Sequence, residues 1–451
     1  MGEKPGTVEL AIASLAGGGR GVARKDGKVW MVEGAVPGDR VLAVPLREKP
    51  RLVEGRTVRI LERSDLRREP ACHLQDSCGG CPWMVLDEDQ QREWKGRVVR
   101  DSLERIARLS DPPVEQVVAS PRDLAYRGKV EFSMGSDEGG RTLIGFRHRL
   151  HPEKLVDVDD CKVLPAVANG VLREVRKSLG ARSAGGAVGQ VGFEGGRLVL
   201  RHSVRDDNVL VIFRSQGREW SGLRPVVQRL GSLAEVAGVV ALTGLPGRRG
   251  GVRSRVLAGR DHLMERLGGT LFKVPAATFF QVNPGAAAIL VDQVVAMAGA
   301  LESGTPVLDL YGGVGLFAWA LATQGAQVTV CEADPHAVTV GREGIGSPRR
   351  PNFVCDDAGR YLDRVAGSRP VRVVVANPPR TGFGAGVGRK IAALEAERLI
   401  VVSCDPGTLA RDLKQLMETG YELQRVVPVD LFPQTAHVET VSLLVKGRKG
   451  A

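Results

Sequence analysis

Aromatic residues are scarce: Phe, Trp and Tyr make up 4% of the 451 residues. A broad base-stacking surface is therefore excluded, and any stacking rests on a few positions. No run approaches the ~20 apolar residues needed to span a bilayer, so no membrane segment is expected. The first twenty residues are interrupted by Glu3, Glu9 and several glycines. They match neither a signal peptide nor an Arg-rich transit peptide, and the expected compartment is the cytoplasm. There, seven cysteines read as metal ligands or catalysts rather than disulfides. Acidic residues are in deficit as well. Lys and Arg number 63 against 52 Asp and Glu, a formal charge of +11, which favours a polyanionic partner over an acidic protein.

The length suggests several domains, and three segments separate. Residues 1–62 alternate short β-rich runs with glycine turns, the pattern of a small β-barrel. This segment is basic, as a nucleic-acid-gripping barrel would be. Residues 63–265 hold a cysteine cluster, a charged helix and a mixed β-rich stretch, with loops expected at GARSAGGAVGQ (180–190) and TGLPGRRGG (243–251). Residues 266–451 alternate apolar strands with helical segments. They predict an open, mainly parallel α/β sheet of the Rossmann-like kind.

Within that last segment, VLDLYGGVGLFAWALA is a strand, a glycine turn and a helix. Gly312, Gly313 and Gly315 would let backbone approach a ligand. Asp309 ends the first strand. Glu332 follows about twenty residues past the glycines, where a carboxylate can take ribose hydroxyls. The third glycine of the dinucleotide fingerprint is replaced, so a full pyrophosphate cradle is missing. A nucleoside cofactor without phosphates, such as S-adenosylmethionine, fits better than NAD.

ANPPRTG (376–382) follows the next apolar strand, and RLIVVSCDPGTLARDL (398–413) puts Cys404 at the end of the one after. Ligands of open α/β sheets bind beyond the carboxyl ends of the strands. Asn377 and Cys404 are therefore expected at the crevice, and a helix start around Thr408, after the DPG turn, should favour the thiolate. Cys331 and Cys355 read as ordinary strand cysteines. Glu439, in FPQTAHVETV, is the base candidate, with His437 on the same face if the stretch is extended.

DLYGGVGLF, NPPRTG, SCDPGTLARD and FPQTAHVETV, in that order, resemble the RNA 5-methyluridine methyltransferases that act on ribosomal and transfer RNA. The resemblance extends to residues 1–62, which are similar to the OB-like RNA-binding TRAM domain. It implies Cys404 as nucleophile and Glu439 as base. It also implies cofactor contacts from Gln281, Tyr311, Glu332 and Asn377, beside the glycine turn at Gly313. The chemistry suits a thiol. C5 of uracil is too weak a nucleophile to take a methyl group unaided, and thiolate addition at C6 turns C5 into an enolate carbon. A base then removes the C5 proton so that the thiol can leave. Asn377 stands where the family usually has Asp; an amide can still pair with uracil N3–H and O4 but carries no charge. Leu316 stands where Asn is frequent. An adenine-amino methyltransferase would place an aromatic residue where Arg380 stands and would leave Cys404 without a role. A 5-methylcytosine enzyme would carry a second Cys after the proline pair. A non-catalytic RNA-binding redox sensor would not need both Cys404 and Glu439.

Cys72, Cys78 and Cys81, in ACHLQDSCGGCPW, and the distant Cys161 have a spacing that suits zinc or an iron–sulfur cluster. The resemblance favours [4Fe–4S]. No motif links these cysteines to the cofactor crevice, so a structural role is expected. Arg127 and Lys129, in AYRGKVEFS, resemble the family's RNA-facing segment, and Arg127 is expected to contact RNA phosphate or base. RNA is the expected partner and a monomer the expected state.

Overall fold

The computed structural model describes residues 6–180, 195–217, 220, 223–244, 252–367 and 370–447. Most of the two loops expected at 180–190 and 243–251 lies outside the described residues. Among the described residues, three large sheets form the framework.

The first sheet has six strands, in the order Val8–Ala11, Arg40–Lys49, Leu52–Glu62, Lys28–Glu33, Gly21–Lys25, Ser14–Leu15. It curls back on itself. Ala13 N–H donates to Val22 O at 2.8 Å, and Ile12 N–H donates to Asp39 O at 2.9 Å. Period-2 alternation sends Leu10, Trp30, Val32, Val41 and Val53 inward to one small core. The result is barrel-like.

The second sheet, also seven-stranded like the third, runs from Val252–Gly259 at one edge through Lys129–Ser136 to Leu155–Asp157 at the other. Helices Ala166–Gly180 and Arg224–Gly231 bury their apolar faces in the same cluster as Phe132, Leu198, Val211 and Val239 of this sheet. Its opposite face is capped in part by the hairpin His262–Leu267/Thr270–Pro275, through Leu263.

The third sheet has the order Asn352–Cys355, Gln327–Glu332, Pro306–Leu310, Val373–Ala376, Arg398–Ser403, Glu439–Lys446, Tyr421–Val429. The central strands pair in parallel, and Glu439–Lys446 is antiparallel to both neighbours. The inner strands Pro306–Leu310, Val373–Ala376 and Arg398–Ser403 are mostly apolar because both faces are covered. Val307, Val373, Val375 and Ile400 enter one core. Leu308, Leu310, Val374 and Leu399 enter the other. This is the expected Rossmann-like α/β architecture. From Pro306–Leu310 the chain builds outward on one side, then returns to start the other side at Val373–Ala376. That reversal of strand order opens a crevice at the strands' carboxyl ends.

The helix Glu88–Ser102 belongs by sequence to the 63–265 stretch, yet it packs elsewhere. Asp87 caps it by accepting from Gln90 N–H at 2.7 Å. Its Val99, with Leu103 and Ala107 just beyond, joins the core formed with Leu310, Leu409 and Val426 of the third sheet and its helices. Among the described residues no helix is long and apolar enough to cross a membrane.

Candidate active site

The glycine turn follows Pro306–Leu310 directly. Each glycine has its own reason. A Cβ on Gly312 would meet Val330 Cγ1 at 2.5 Å and Asp309 Oδ2 at 2.9 Å. Gly315 has φ +80°, and a Cβ there would meet Phe353 at 2.6 Å. Gly313, at φ +57°, has open space in front of it, which is where a ligand can approach the backbone. Its N–H donates to Glu332 Oε2 at 2.9 Å, and Asp334 N–H donates to Glu332 Oε1 at 2.7 Å. Two amides thus orient the Glu332 carboxylate at the end of Gln327–Glu332, and each oxygen has a lone pair left for a ribose hydroxyl.

Asp309 lies beneath this turn with 0% exposure. Neither carboxylate oxygen has a full hydrogen bond. Burial drives its pKa to about 8; the nearby Ala318 amide offsets this only in part, and Glu332 adds to it. An orphaned buried carboxyl beside an open glycine suits a cofactor with a cationic group. Tyr311 adopts φ +57° and donates its hydroxyl to Phe383 O at 3.0 Å. Leu316 is only 8% exposed and joins the core, so it offers no polar contact.

Gln281 is half-buried in the loop before helix Pro284–Ala298. Asn283 anchors that loop by capping the helix, accepting from Ala286 N–H at 3.2 Å, and by donating to Leu431 O at 2.9 Å. Two residues before Gln281, the Phe279 ring is 67% exposed. Sequence reasoning passed over it, although an open phenyl group in a chain so poor in aromatics is a signal.

Cys404 sits between the strand Arg398–Ser403 and the helix Pro406–Met417. Asp405 caps that helix by accepting from Thr408 N–H at 2.8 Å. The same helix holds the NPPRTG loop. Thr408 Oγ1 donates to Arg380 O at 3.0 Å, and Asp412 Oδ2 accepts from Phe383 N–H at 3.1 Å. Gly382, at φ +85°, lets the loop pass this close to both side chains. Arg380 is thereby brought near Cys404, where its charge favours the thiolate. Asn377, half-buried, is tied to the neighbouring strand by donating its N–H to Leu310 O at 3.2 Å.

Glu439 begins the strand paired with Arg398–Ser403. The register sets Ser403 opposite Thr440, and Thr440 Oγ1 donates to Ser403 O at 3.0 Å. Cys404 and Glu439 therefore flank one cross-strand pair. Glu439 is 7% exposed; burial lifts its pKa to about 8 and Arg380 pulls it back. For Cys404 the expected thiolate bias of the helix start is overturned. Burial first, then the Glu439 charge, raise the thiol's pKa, while Arg380 opposes them. His437 also departs from expectation. The strand starts only at Glu439, so His437 stands in the preceding loop, exposed, while Glu439 is buried. Its ring meets Phe432 edge-on at 5.9 Å.

All four candidate metal cysteines are unpaired thiols and line one cavity of about 390 Å³. Arg127, Arg380, Phe432 and His437 line it too, so the cysteine group and the loops around Cys404 share one space. The Arg127 guanidinium lies 5.9 Å over the Phe432 ring, and its Nε donates to Lys129 O at 3.2 Å. Lys129 is half-buried, and burial, then Arg201, lowers its pKa to about 8. Burial and the neighbouring thiols raise Cys81 to about 12. Burial raises Cys161 to about 11 against opposing backbone amides. Yet among the described residues no three His, Cys, Asp or Glu side chains are gathered closely enough for one ion.

The comparisons with known proteins agree with this geometry. Residues 362–447 match the family model described as tRNA (Uracil-5-)-methyltransferase. An uncharacterized RNA methyltransferase of Gloeobacter violaceus is 35% identical, over 97% of this chain and 96% of its own. One of Thermotoga maritima is 34% identical, over 97% and 99%. The crystal structure of Pyrococcus abyssi tRNA (uracil-54, C5)-methyltransferase in complex with S-adenosyl-L-homocysteine shares the fold, with a TM-score of 0.73 at 23% identity, over 97% of this chain and 100% of that one. The chain belongs to the RNA methyltransferases, and its residues 362–447 carry the match to the tRNA (Uracil-5-)-methyltransferase family model.

Proposed function

We propose that the protein methylates C5 of a uridine in folded ribosomal or transfer RNA, through a covalent bond between Cys404 and C6. The observation that carries this reading is the meeting of Cys404, Arg380 and Glu439 at the ends of two paired strands, beside the crevice of the glycine turn. S-adenosylmethionine supplies a methyl group on a sulfonium; Gln281, Tyr311, Gly313, Glu332 and Asn377 hold it or border it, with Asp309 beneath.

Cys404, which is partly exposed, gives its proton to solvent, and its sulfur adds to C6 of uracil. Arg380 stabilises the thiolate by its charge. The electron pair of the C5–C6 double bond moves toward O4, where Asn377 can donate; as this enolate collapses, C5 bonds to the methyl group, the methyl–sulfonium bond breaks, and S-adenosylhomocysteine leaves with that bond's electron pair. Glu439 then takes the C5 proton. The C–H electrons re-form the C5–C6 double bond and expel the Cys404 sulfur. A buried carboxylate with a raised pKa is a stronger base than an exposed one, and its midpoint lies near working pH. The open Phe279 ring offers a face for the flipped base.

Residues 1–62 act as an RNA-gripping TRAM domain, supported by their curled basic sheet. Arg127, over Phe432, contacts RNA within the shared cavity. Lys129, half-buried, acts from the strand beside it. Cys72, Cys78, Cys81 and Cys161 hold a [4Fe–4S] cluster. A zinc ion gathers its four sulfurs to about 3.8 Å from one another, given bonds of about 2.3 Å. A cluster spreads them over four irons, which suits thiols that share a cavity without gathering on one point. Two assays test the proposal. RNA carrying 5-fluorouridine at the target should form a denaturation-resistant conjugate, because fluorine cannot leave as a proton. Mapping 5-methyluridine in RNA from a deletion strain should reveal the missing site; an unchanged map would defeat the proposal.

A further inference from the structure

The segment 430–434 leads from the strand Tyr421–Val429 into the loop that ends at Glu439, and its polar groups are held by distant parts of the chain. Asp430 N–H donates to Val118 O at 2.9 Å. Lys95 Nζ, with 0% side-chain exposure, donates to the Asp430 carboxylate and to Phe432 O at 3.1 Å. Asn283 holds Leu431 O, and the Tyr126 hydroxyl donates to Pro433 O at 3.0 Å.

Gln434 is the centre of this clamp. It has φ +70°, a left-handed conformation rare for a residue with a side chain, and it is 0% exposed. Its N–H donates to Gln91 Oε1 at 2.7 Å, and Gln91 Nε2 donates back to Gln434 Oε1 at 3.0 Å. Gln434 Nε2 donates to Glu88 Oε1 at 3.0 Å and to Asp123 O at 3.2 Å. Gln434 O accepts from Trp83 N–H at 3.1 Å, two residues past Cys81. Glu88, Gln91 and Lys95 lie at i, i+3 and i+7, one face of a helix.

Nothing in this network touches the reacting atoms. What it fixes is the loop joining Val429 to Glu439, which are themselves opposed in the sheet. The register of a strand is set by the loop that feeds it, and a slip re-aims each of its side chains. We infer that Gln434 is a positioning residue: its side chain and left-handed backbone hold Glu439 in line for the C5 proton. The strain at φ +70° persists because the surroundings over-determine it. This inference rests on the base role given to Glu439 above.

Gln434→Gly accepts the backbone angle but deletes the side-chain bonds. It should lower kcat by ~10-fold or more, as sub-ångström misplacement of a catalytic group does, with KM for RNA and cofactor within about 2-fold. Because proton removal follows adduct formation, the variant should accumulate covalent protein–RNA conjugate on ordinary uridine RNA. A merely structural role would not produce that accumulation. Gln91→Ala, which leaves residue 434 intact, should do the same, and the double variant should be little worse than either single one. Gln434→Asn, which tolerates the left-handed angle, should recover part of kcat. Unchanged kcat, or a fall with no accumulated conjugate, overturns the inference; if the glycine variant does not fold, Gln91→Ala is read by the same criteria. Wild-type protein that forms no adduct with 5-fluorouridine RNA would instead defeat the mechanism on which the inference rests.

Discussion

At pH 7 a carboxyl group with its midpoint near 8, where burial puts Glu439, is only about one-tenth ionised; at pH 9 it is about nine-tenths ionised. The burial raises the pKa, so the base form is gained as pH rises. If Glu439 removes the C5 proton and that step limits turnover, kcat at saturating RNA and cofactor should climb ~10-fold between pH 7 and 9, equivalent to about 1.4 kcal/mol of barrier. Cys404 complicates the profile because its thiol is also raised and favours attack in the same direction. The two groups see each other, so the observed midpoints belong to the pair. Conjugate formation on 5-fluorouridine RNA separates them: it needs thiolate attack and methyl transfer but no proton removal. Rapid-quench measurement of both rates on wild type and Glu439→Gln is decisive. The glutamine variant should still form conjugate yet fail to release product, and its release should lose the rise with pH. A flat wild-type profile, or a variant that turns over with the wild-type rise, refutes the assignment.

Cys404→Ala should abolish methyl transfer while calorimetry finds cofactor affinity within about 2-fold, since the thiol acts on the base alone; residual turnover near wild type would move the nucleophile elsewhere. Anaerobically purified protein should be brown with about four irons per chain; a colourless protein with about one zinc would reject the cluster. Asp309→Asn should relieve a pH-dependent penalty. Unfolded Asp ionises near pH 4, whereas the folded group, raised by burial, ionises only near 8. The stability gained from keeping it neutral is therefore full below about pH 4 and lost by about pH 8. The melting temperature of the asparagine variant relative to cofactor-free wild type should rise between pH 5 and 8, and a constant difference would sink the argument.

Much of the third sheet was legible because its strands are apolar on both faces and end in glycine or proline turns. Once VVVAN and IVVSC read as parallel strands, Asn377 and Cys404 had to emerge at the same edge. The electrostatics were not legible in this way. The helix start expected around Thr408 argued for a thiolate at Cys404, but that effect is modest at a helix end, and here it is outweighed by burial and by Glu439. His437 and Glu439 were read two apart on an extended strand. The bend at Gln434, which makes His437 a loop residue, depends on partners on the helix Glu88–Ser102 more than 300 residues away. Phe279 escaped because nothing in FFQVNP tells which of its two phenyl groups is buried; Phe280 is, at 6% exposure.

The cysteine group shows the same limit at larger scale. CGGC and HVE stand at opposite ends of the chain, and no pattern within either connects them. The connection is made by helix Glu88–Ser102, which follows the cysteine loop by a few residues but spends its apolar face on the third sheet. Burying Val99 and Leu103 there brings Trp83, and with it Cys81, against Gln434. Lys95 and Asp430 close the contact as a buried ion pair. Such a pair contributes little net stability after desolvation but is costly to misalign. The pair ties helix Glu88–Ser102 to the segment that follows Tyr421–Val429, and the four thiols, Arg127, Arg380 and His437 line a single cavity beside it.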